Sequence, residues 1–350
     1  MTENIQLSEK DKYEILKTVN EDVIVKKQIF QTIDPNGYSE VEIDGCKVNL
    51  INFLQLDVYL DSVCNSNCPF CINKAKNAKI SDALHKNKLS LEDFIKRFDD
   101  VYHQINSQQE LKSFIMLTGG EPTISPRFIP FIQHLLKKKI RYDLLTNGSN
   151  LHTLINGRML IEIMAPNCGG MQISRAHYDD NKNQQLMNLS KKVENKNLYK
   201  VGKYIENNFD KPYHLGFSCM LMKNGIHTIE DIKKYIETYK DLNLSVIVFR
   251  EMENVSEYAN NIDEINNIII KYEDLKNIIN NDNDFKQTNI LEQDGYFNYY
   301  YQYKDISTPI CFSVPCSMKE RYKPSDHING LTFNPDGKLY YNYFYNLHIK

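Results

Sequence analysis

Between residues 48 and 249 the chain repeats one alternation: a short apolar run of β-favouring residues, then a stretch whose apolar positions recur at helical spacing. That order constrains the fold more than any other feature, because strands alternating with helices pack as βα units around a parallel sheet. The runs at 48–60, 114–117, 142–145, 171–173, 215–221 and 244–249 read as strands, the first long enough for one or two. Helices are expected at 90–105, with Ser90 as cap and Asp93 as a capping-box carboxylate, and at 126–138 and 229–239. Lys137, Lys138 and Lys139 suit the C-terminal end of the second helix dipole. Six such strands fit an open or partial barrel better than a closed eight-stranded one.

The flanks differ in character. Residues 1–50 read as an N-terminal accessory segment, with a short helix near 10–19 and a turn at Pro35-Asn36-Gly37. Residues 51–255 form the expected core, and 256–350 a C-terminal extension rich in tyrosine. In that extension Asn334-Pro335-Asp336-Gly337 predicts a hairpin turn between strands at 330–333 and 338–345. Its tyrosines (Tyr296, Tyr299, Tyr300, Tyr301, Tyr303, Tyr340, Tyr341, Tyr343 and Tyr345) are expected to pair across strands, cap the open barrel and line a substrate pocket. Two polar stretches, 179–210 and 254–284, read as solvated helix or mobile connection, the second with a helical pattern over 262–279. The fold expected is therefore α/β: a partial (β/α)6 TIM-like barrel with an N-terminal extension and a C-terminal β-rich cap.

At 41% hydrophobic and 25% charged residues the chain can bury a sizeable core. A formal net charge of −3 gives no broad electrostatic reason to expect nucleic acid as a partner. The first residues are polar and charged, and no stretch of about 18 apolar residues occurs, so a cytoplasmic location without membrane is expected. In that compartment disulfides are rare, and a tight cysteine cluster points to metal.

Such a cluster is present at Cys64-Asn-Ser-Asn-Cys68-Pro-Phe-Cys71, straight after the first strand. Three thiolates on one short loop suit zinc or an iron–sulfur cluster. A structural zinc site would ordinarily take four ligands, and the fourth is missing locally; three cysteines fit a cubane cluster with one iron open to an outside ligand. A non-catalytic cysteine metal-binding module is the alternative from another class.

The Cys-x3-Cys-x2-Cys spacing, with Phe70 just before the last cysteine, resembles the defining motif of the radical S-adenosylmethionine (SAM) superfamily. The likeness continues at the next strand end in Thr118-Gly119-Gly120-Glu121-Pro122, similar to that family's Gly-Gly-Glu motif, which meets the SAM amino group. Thr146-Asn147-Gly148 resembles its Thr-Asn-Gly turn, and Ser174-Arg175 stands where relatives contact the SAM ribose or carboxylate. Met222, Asn224 and Arg250 occupy places comparable to adenine- or SAM-proximal positions. The glycine-rich adenine motif after the fifth strand has no clean counterpart.

The resemblance spans roughly 54–252 and is closest to the branch with the molybdenum-cofactor cyclase and the peptide-modifying maturases. It implies a [4Fe–4S] cluster on Cys64, Cys68 and Cys71, and SAM bound among Phe70, Gly119, Gly120, Glu121, Thr146, Asn147, Ser174, Arg175, Met222 and Arg250. It implies reductive cleavage of SAM to a 5′-deoxyadenosyl radical that abstracts hydrogen from a peptide or small organic substrate. The electron comes from a low-potential donor of the flavodoxin or ferredoxin type. Many relatives carry further clusters in a C-terminal extension, but here only Cys311 and Cys316 lie there, too few for a four-cysteine site. A two-cluster maturase is the alternative within the family. His177, just past Ser174-Arg175, is a candidate substrate-proximal residue.

Overall fold

The computed structural model describes residues 37–71, 87–108, 111–208, 213–252, 267–293, 296–316 and 327–340. The helix expected near 10–19 and the tyrosines 341, 343 and 345 lie outside the described residues, as does most of the turn at 35–37.

The described residues begin with a hairpin, β1 (Tyr38–Ile43) and β2 (Cys46–Tyr59), turned by Asp44 and Gly45, both at positive φ. Helix α1 (Leu91–Ile105), β3 (Lys112–Thr118), α2 (Phe128–Lys137) and β4 (Tyr142–Thr146) follow. A small hairpin, β5 (Leu154–Ile155) and β6 (Arg158–Met159), leads through α3 (Leu160–Met164) into β7 (Cys168–Ser174). Helices α4 (Asp180–Met187) and α5 (Asn195–Asn208) precede β8 (His214–Met220), and α6 (Ile229–Tyr239) precedes β9 (Val246–Arg250). Helix α7 (Tyr272–Asn281) and the strands β10 (Phe285–Gln293), β11 (Tyr296–Tyr303) and β12 (Ile310–Pro315) come next. The hairpin β13 (His327–Phe333) and β14 (Leu339–Tyr340) ends the described chain.

Strands β2, β3, β4, β7, β8 and β9 lie side by side in chain order, every neighbouring pair parallel. This is the expected six-stranded series of a partial barrel, and the sheet stays open, with β10 and β14 at its two ends. Both flanks extend the same sheet. On one edge β12 pairs parallel with β9, followed by antiparallel β11 and β10. On the other, β13 pairs parallel with β2 and carries β14, with β1 antiparallel to β2. The turn at Asn334 to Gly337 closes as expected: Asn334 N donates to Lys338 O at 3.0 Å, and Gly337 sits at φ +78°.

Alternation along the strands sorts the two faces. Leu54, Leu56 and Val58 of β2 are buried in the core, and buried Phe217 of β8 and Phe249 of β9 lie against Tyr239 and Tyr235 of α6. Helix α1 starts where Ser90 accepts from Asp93 N at 3.1 Å, and it buries Phe94, Phe98, Val101 and Ile105 on one stripe. Its phenylalanines meet Phe131 of α2 and Phe333 of β13, so the last hairpin and the first helix share one core.

The stretch 179–210, read as solvated helix or mobile connection, forms α4 and α5 over its described residues, and α5 packs. Its apolar positions are few but fall on one stripe, with Leu198, Val201 and Ile205 buried. Gly202 lets the neighbouring segment close in, since a Cβ there would lie 2.6 Å from Leu242 Cδ2. Within 254–284, α7 covers the described end of the helical pattern; 253–266 lie outside the described residues. Among the described residues no helix is long and apolar enough to cross a membrane.

Candidate functional site

The cysteine loop leaves the C-terminal end of β2, the end of a parallel sheet where reacting groups collect. Three neighbouring segments hold it. The first is the turn after β3: Gly120 N donates to Asp61 O at 2.9 Å and Glu121 N to Val63 O at 2.8 Å. A Cβ on Gly119 would sit 2.4 Å from Asp61 O, and one on Gly120 would sit 2.2 Å from Val63 O. Gly119 also takes φ +139°, a conformation side chains rarely adopt. The two glycines thus let this turn lie flat against the backbone that leads into the cysteines.

The second holder is the turn after β4. Asn65, between the first two cysteines, donates through Nδ2 to Ser149 Oγ and accepts from Asn147 Nδ2, both at 2.8 Å. The third is the C-terminal end of α4, which stops at Asn188 in the left-handed region. There Ser66 Oγ donates to Met187 O at 2.5 Å, Asn67 N to Met187 O at 3.2 Å, and Ser190 N to Asn65 O at 2.9 Å. The sequence reading singled out none of Asn65, Ser66, Ser149 or Met187. Asn and Ser between cysteines were the available signal, since both residues hydrogen-bond nearby backbone in loops.

Beneath the loop, Asp61 is buried and takes an ion pair from Lys88, with Ser62 N at 3.0 Å and Ser125 Oγ at 3.3 Å. Burial pushes its carboxyl upward, but Lys88 and the backbone N–H groups of Ser62 and Val63 outweigh it and leave the pKa below the ordinary value. Glu121 is fully interior. Its carboxylate accepts from Thr146 Oγ1 at 2.7 Å, Asn147 N at 2.6 Å, Thr123 N at 3.1 Å and the Thr123 hydroxyl. Burial raises its pKa further than these donors lower it. Glu121 therefore binds the β3 turn to the β4 turn, and all of these contacts lie within the chain.

The three thiols share the loop without converging: among the described residues no three His, Cys, Asp or Glu side chains are grouped to hold a metal ion. Cys64 is exposed, Cys68 and Cys71 half-buried. Cys68 Sγ lies 2.8 Å from Ser66 Oγ and 3.3 Å from Met187 O. Other cysteines contrast with them. Burial pushes the Cys168 thiol up to about 12, Cys311 up to about 11 and Cys219 higher still, so these are protonated packing residues. The accessible loop thiols suit a cluster, which needs thiolates; Cys311, inside β12, does not.

The remaining expected residues divide. Phe70 is half-buried against the core. Ser174 is exposed at the end of β7, beside Ser218 in register. Arg175 is interior: it donates to Tyr239 Oη at 2.8 Å, Val193 O at 2.7 Å and Asn195 Oδ1 at 2.9 Å, and pairs with Asp180. Its guanidinium thus ties β7 to α4, α5 and α6. The Met222 side chain is buried in the apolar core, and His177 is buried with Nδ1 accepting from Asp179 N at 3.0 Å. Arg250 is half-buried on the face of the sheet opposite Phe249.

Residues 60–252 match the family model of the radical SAM superfamily. The sequence matches no curated protein. Among solved structures, Streptococcus suis SuiB bound to S-adenosylmethionine aligns at 14% identity over 99% of this chain and 70% of its own, with TM-score 0.48. SuiB bound to its precursor peptide SuiA aligns at 14% identity over 98% and 67%, with TM-score 0.47. The radical S-adenosylmethionine methyltransferase TsrM of Kitasatospora setae, with tryptophan and a SAM analogue, aligns at 10% identity over 82% and 55%, with TM-score 0.39.

Proposed function

This chain belongs to the radical SAM superfamily, whose model matches more than half of it, and we propose that it cleaves SAM reductively and abstracts hydrogen from a peptide or small organic substrate. It is an enzyme of a family that uses a [4Fe–4S] cluster and SAM. In this reading Cys64, Cys68 and Cys71 hold the cluster. Once bound, cluster and SAM supply one-electron cleavage of a carbon–sulfur bond and a 5′-deoxyadenosyl radical, the electron coming from a low-potential donor.

The protein's own part is to hold and orient. The observation that carries the reading is the three-sided seat of the cysteine loop, on Gly119-Gly120, on Asn147 and Ser149, and on Met187 to Ser190. Such a seat fixes the backbone while leaving the thiols accessible, which is what a ligand loop requires. Glu121 and Thr146 brace the two turns, and exposed Ser174 offers a hydroxyl to SAM at the same sheet end. Arg175 and Met222 act in this reading through the interior, by fixing the elements around SAM.

Iron and acid-labile sulfide after anaerobic reconstitution test the ligand set. About four of each per chain are expected, falling to background in Cys64→Ala, Cys68→Ala and Cys71→Ala but not in Cys311→Ala. About eight would favour the two-cluster alternative, and stoichiometric zinc with no iron chromophore would favour the non-catalytic module.

A further inference from the structure

On the face of the sheet turned away from α6, Arg250 of β9 reaches back across two strands. Its Nε donates to Ser218 Oγ of β8 at 2.9 Å and its Nη2 to Gln172 Oε1 of β7 at 3.2 Å. Strand register puts the three on one side: Ser218 pairs with Ser174, two residues beyond Gln172, and Met220 pairs with Arg250. The intervening Phe217 and Phe249 point the other way, onto Tyr239 and Tyr235 of α6.

The guanidinium has no counter-charge among the described residues. No described carboxylate lies within ion-pair reach of Arg250, and adjacent Glu251 is engaged with Lys271 Nζ at 2.9 Å and Tyr272 N at 2.8 Å. Both partners of Arg250 are neutral acceptors. Among the described residues two of its five N–H groups are engaged, leaving Nη1 and one N–H of Nη2 in the fork that grips a carboxylate. A half-buried cation held stiffly by neutral neighbours is an arrangement built for an incoming anion.

We propose that Gln172, Ser218 and Arg250 form a carboxylate anchor for the second reactant, so that the substrate is an acid. The inference deepens the proposed function, on which it rests for the identity of that reactant. The anchor lies three to five strands along the sheet from β2, whose end carries the cysteine loop. Ser218 of the anchor is the register partner of Ser174, the serine read as meeting SAM, so the anchor borders the SAM site and the carboxylate of SAM is the rival occupant.

Thermal melting of the anaerobic protein, as purified and after reconstitution, tests this with succinate against its neutral diamide at equal ionic strength. Succinate should raise Tm and the diamide should not. Arg250→Gln should weaken succinate binding by about tenfold or more, with Arg250→Lys in between. Gln172→Glu offers a second test, placing a carboxylate beside the guanidinium; it should raise the Tm of ligand-free protein and abolish the succinate response. The proposal is overturned if succinate leaves wild type unmoved, if Gln172→Glu responds as wild type does, or if Arg250→Gln loses SAM instead, which would assign the anchor to the SAM carboxylate. The succinate response is read whether or not SAM is cleaved, so the two readings can fail separately.

Discussion

Asp61 and Glu121 both lie beneath the cysteine loop, and their surroundings push their proton affinities in opposite directions. For Asp61 the folded pKa is depressed, so its contribution is present above the ordinary carboxylate range and is lost as pH falls through the folded value. Asp61→Asn should cost about 1–3 kcal/mol at neutral pH by urea unfolding, with the gap to wild type closing below about pH 4. A gap unchanged in acid would contradict the Lys88 pairing. For Glu121 the folded pKa is raised, so its contribution is complete in acid and declines as pH rises through the folded value. Glu121→Gln puts an amide donor against either the Asn147 N–H or the Thr123 N–H, and should cost about 1–3 kcal/mol, most at low pH. Stability equal to wild type across the range would mean that the bridge between the two turns carries no load. Gly-Gly-Glu singled out Glu121 as a proposed SAM contact, but its partners within the chain were not legible. Which of several strand-end threonines and asparagines meets a buried carboxylate depends on strand order, and no local pattern encodes that.

Among the elements, those with strong local signals came through the sequence with correct type and near-correct bounds. Helix α6 is one, started by the Thr228–Asp231 capping box; α1 behind Ser90 and the hairpin at Asn334 to Gly337 are others. Helix α5 was read only as solvated helix or mobile connection, and its packing was missed, because three buried apolar residues in a polar stretch look like solvent-facing helix until Gly202 is seen against Leu242. The Gly119-Gly120 turn was readable as a close approach, though not as an approach of the cysteine loop. Gly120→Ala should therefore cost about 1–3 kcal/mol and lower the iron retained after reconstitution, since the new Cβ meets carbonyl oxygens of Val63 and Ser62. Gly157→Ala is the control: it sits at φ +78°, as Gly120 does not, but has nothing within 4 Å of its Cβ. Its cost should be about 1 kcal/mol, with iron unchanged. Equal iron loss in both would separate the glycines from the seating of the loop.

At the scale of the molecule, the parallel core was foreseeable from the alternation of runs, while the fate of the flanks was not. Sequence separation hides that β13, far along the chain, pairs with β2 from Asn49 to Val58. The last hairpin also caps α1, through Leu89 N to Pro335 O at 3.0 Å and Arg97 Nε to Gly337 O at 3.1 Å. Truncation after residue 316 should strip one edge of β2 and uncover Phe94 and Phe98, leaving a chain without a cooperative urea transition or near-ultraviolet circular dichroism. A truncated chain with the wild-type midpoint would make that hairpin an appendage. One sheet continuous through both flanks also means that the cysteine loop, the braced turns and the Arg250 row share a single frame.

The central claim, that this frame delivers SAM to a cluster on Cys64, Cys68 and Cys71 for reductive cleavage, is tested most directly by 5′-deoxyadenosine release. Anaerobically reconstituted protein is incubated with SAM and dithionite beside Cys64→Ala, and the nucleoside is quantified. The account predicts release that requires the reductant and is lost in the variant. Release retained by Cys64→Ala, or none from wild type carrying its full complement of iron and supplied with carboxylate-bearing candidate substrates, would contradict it.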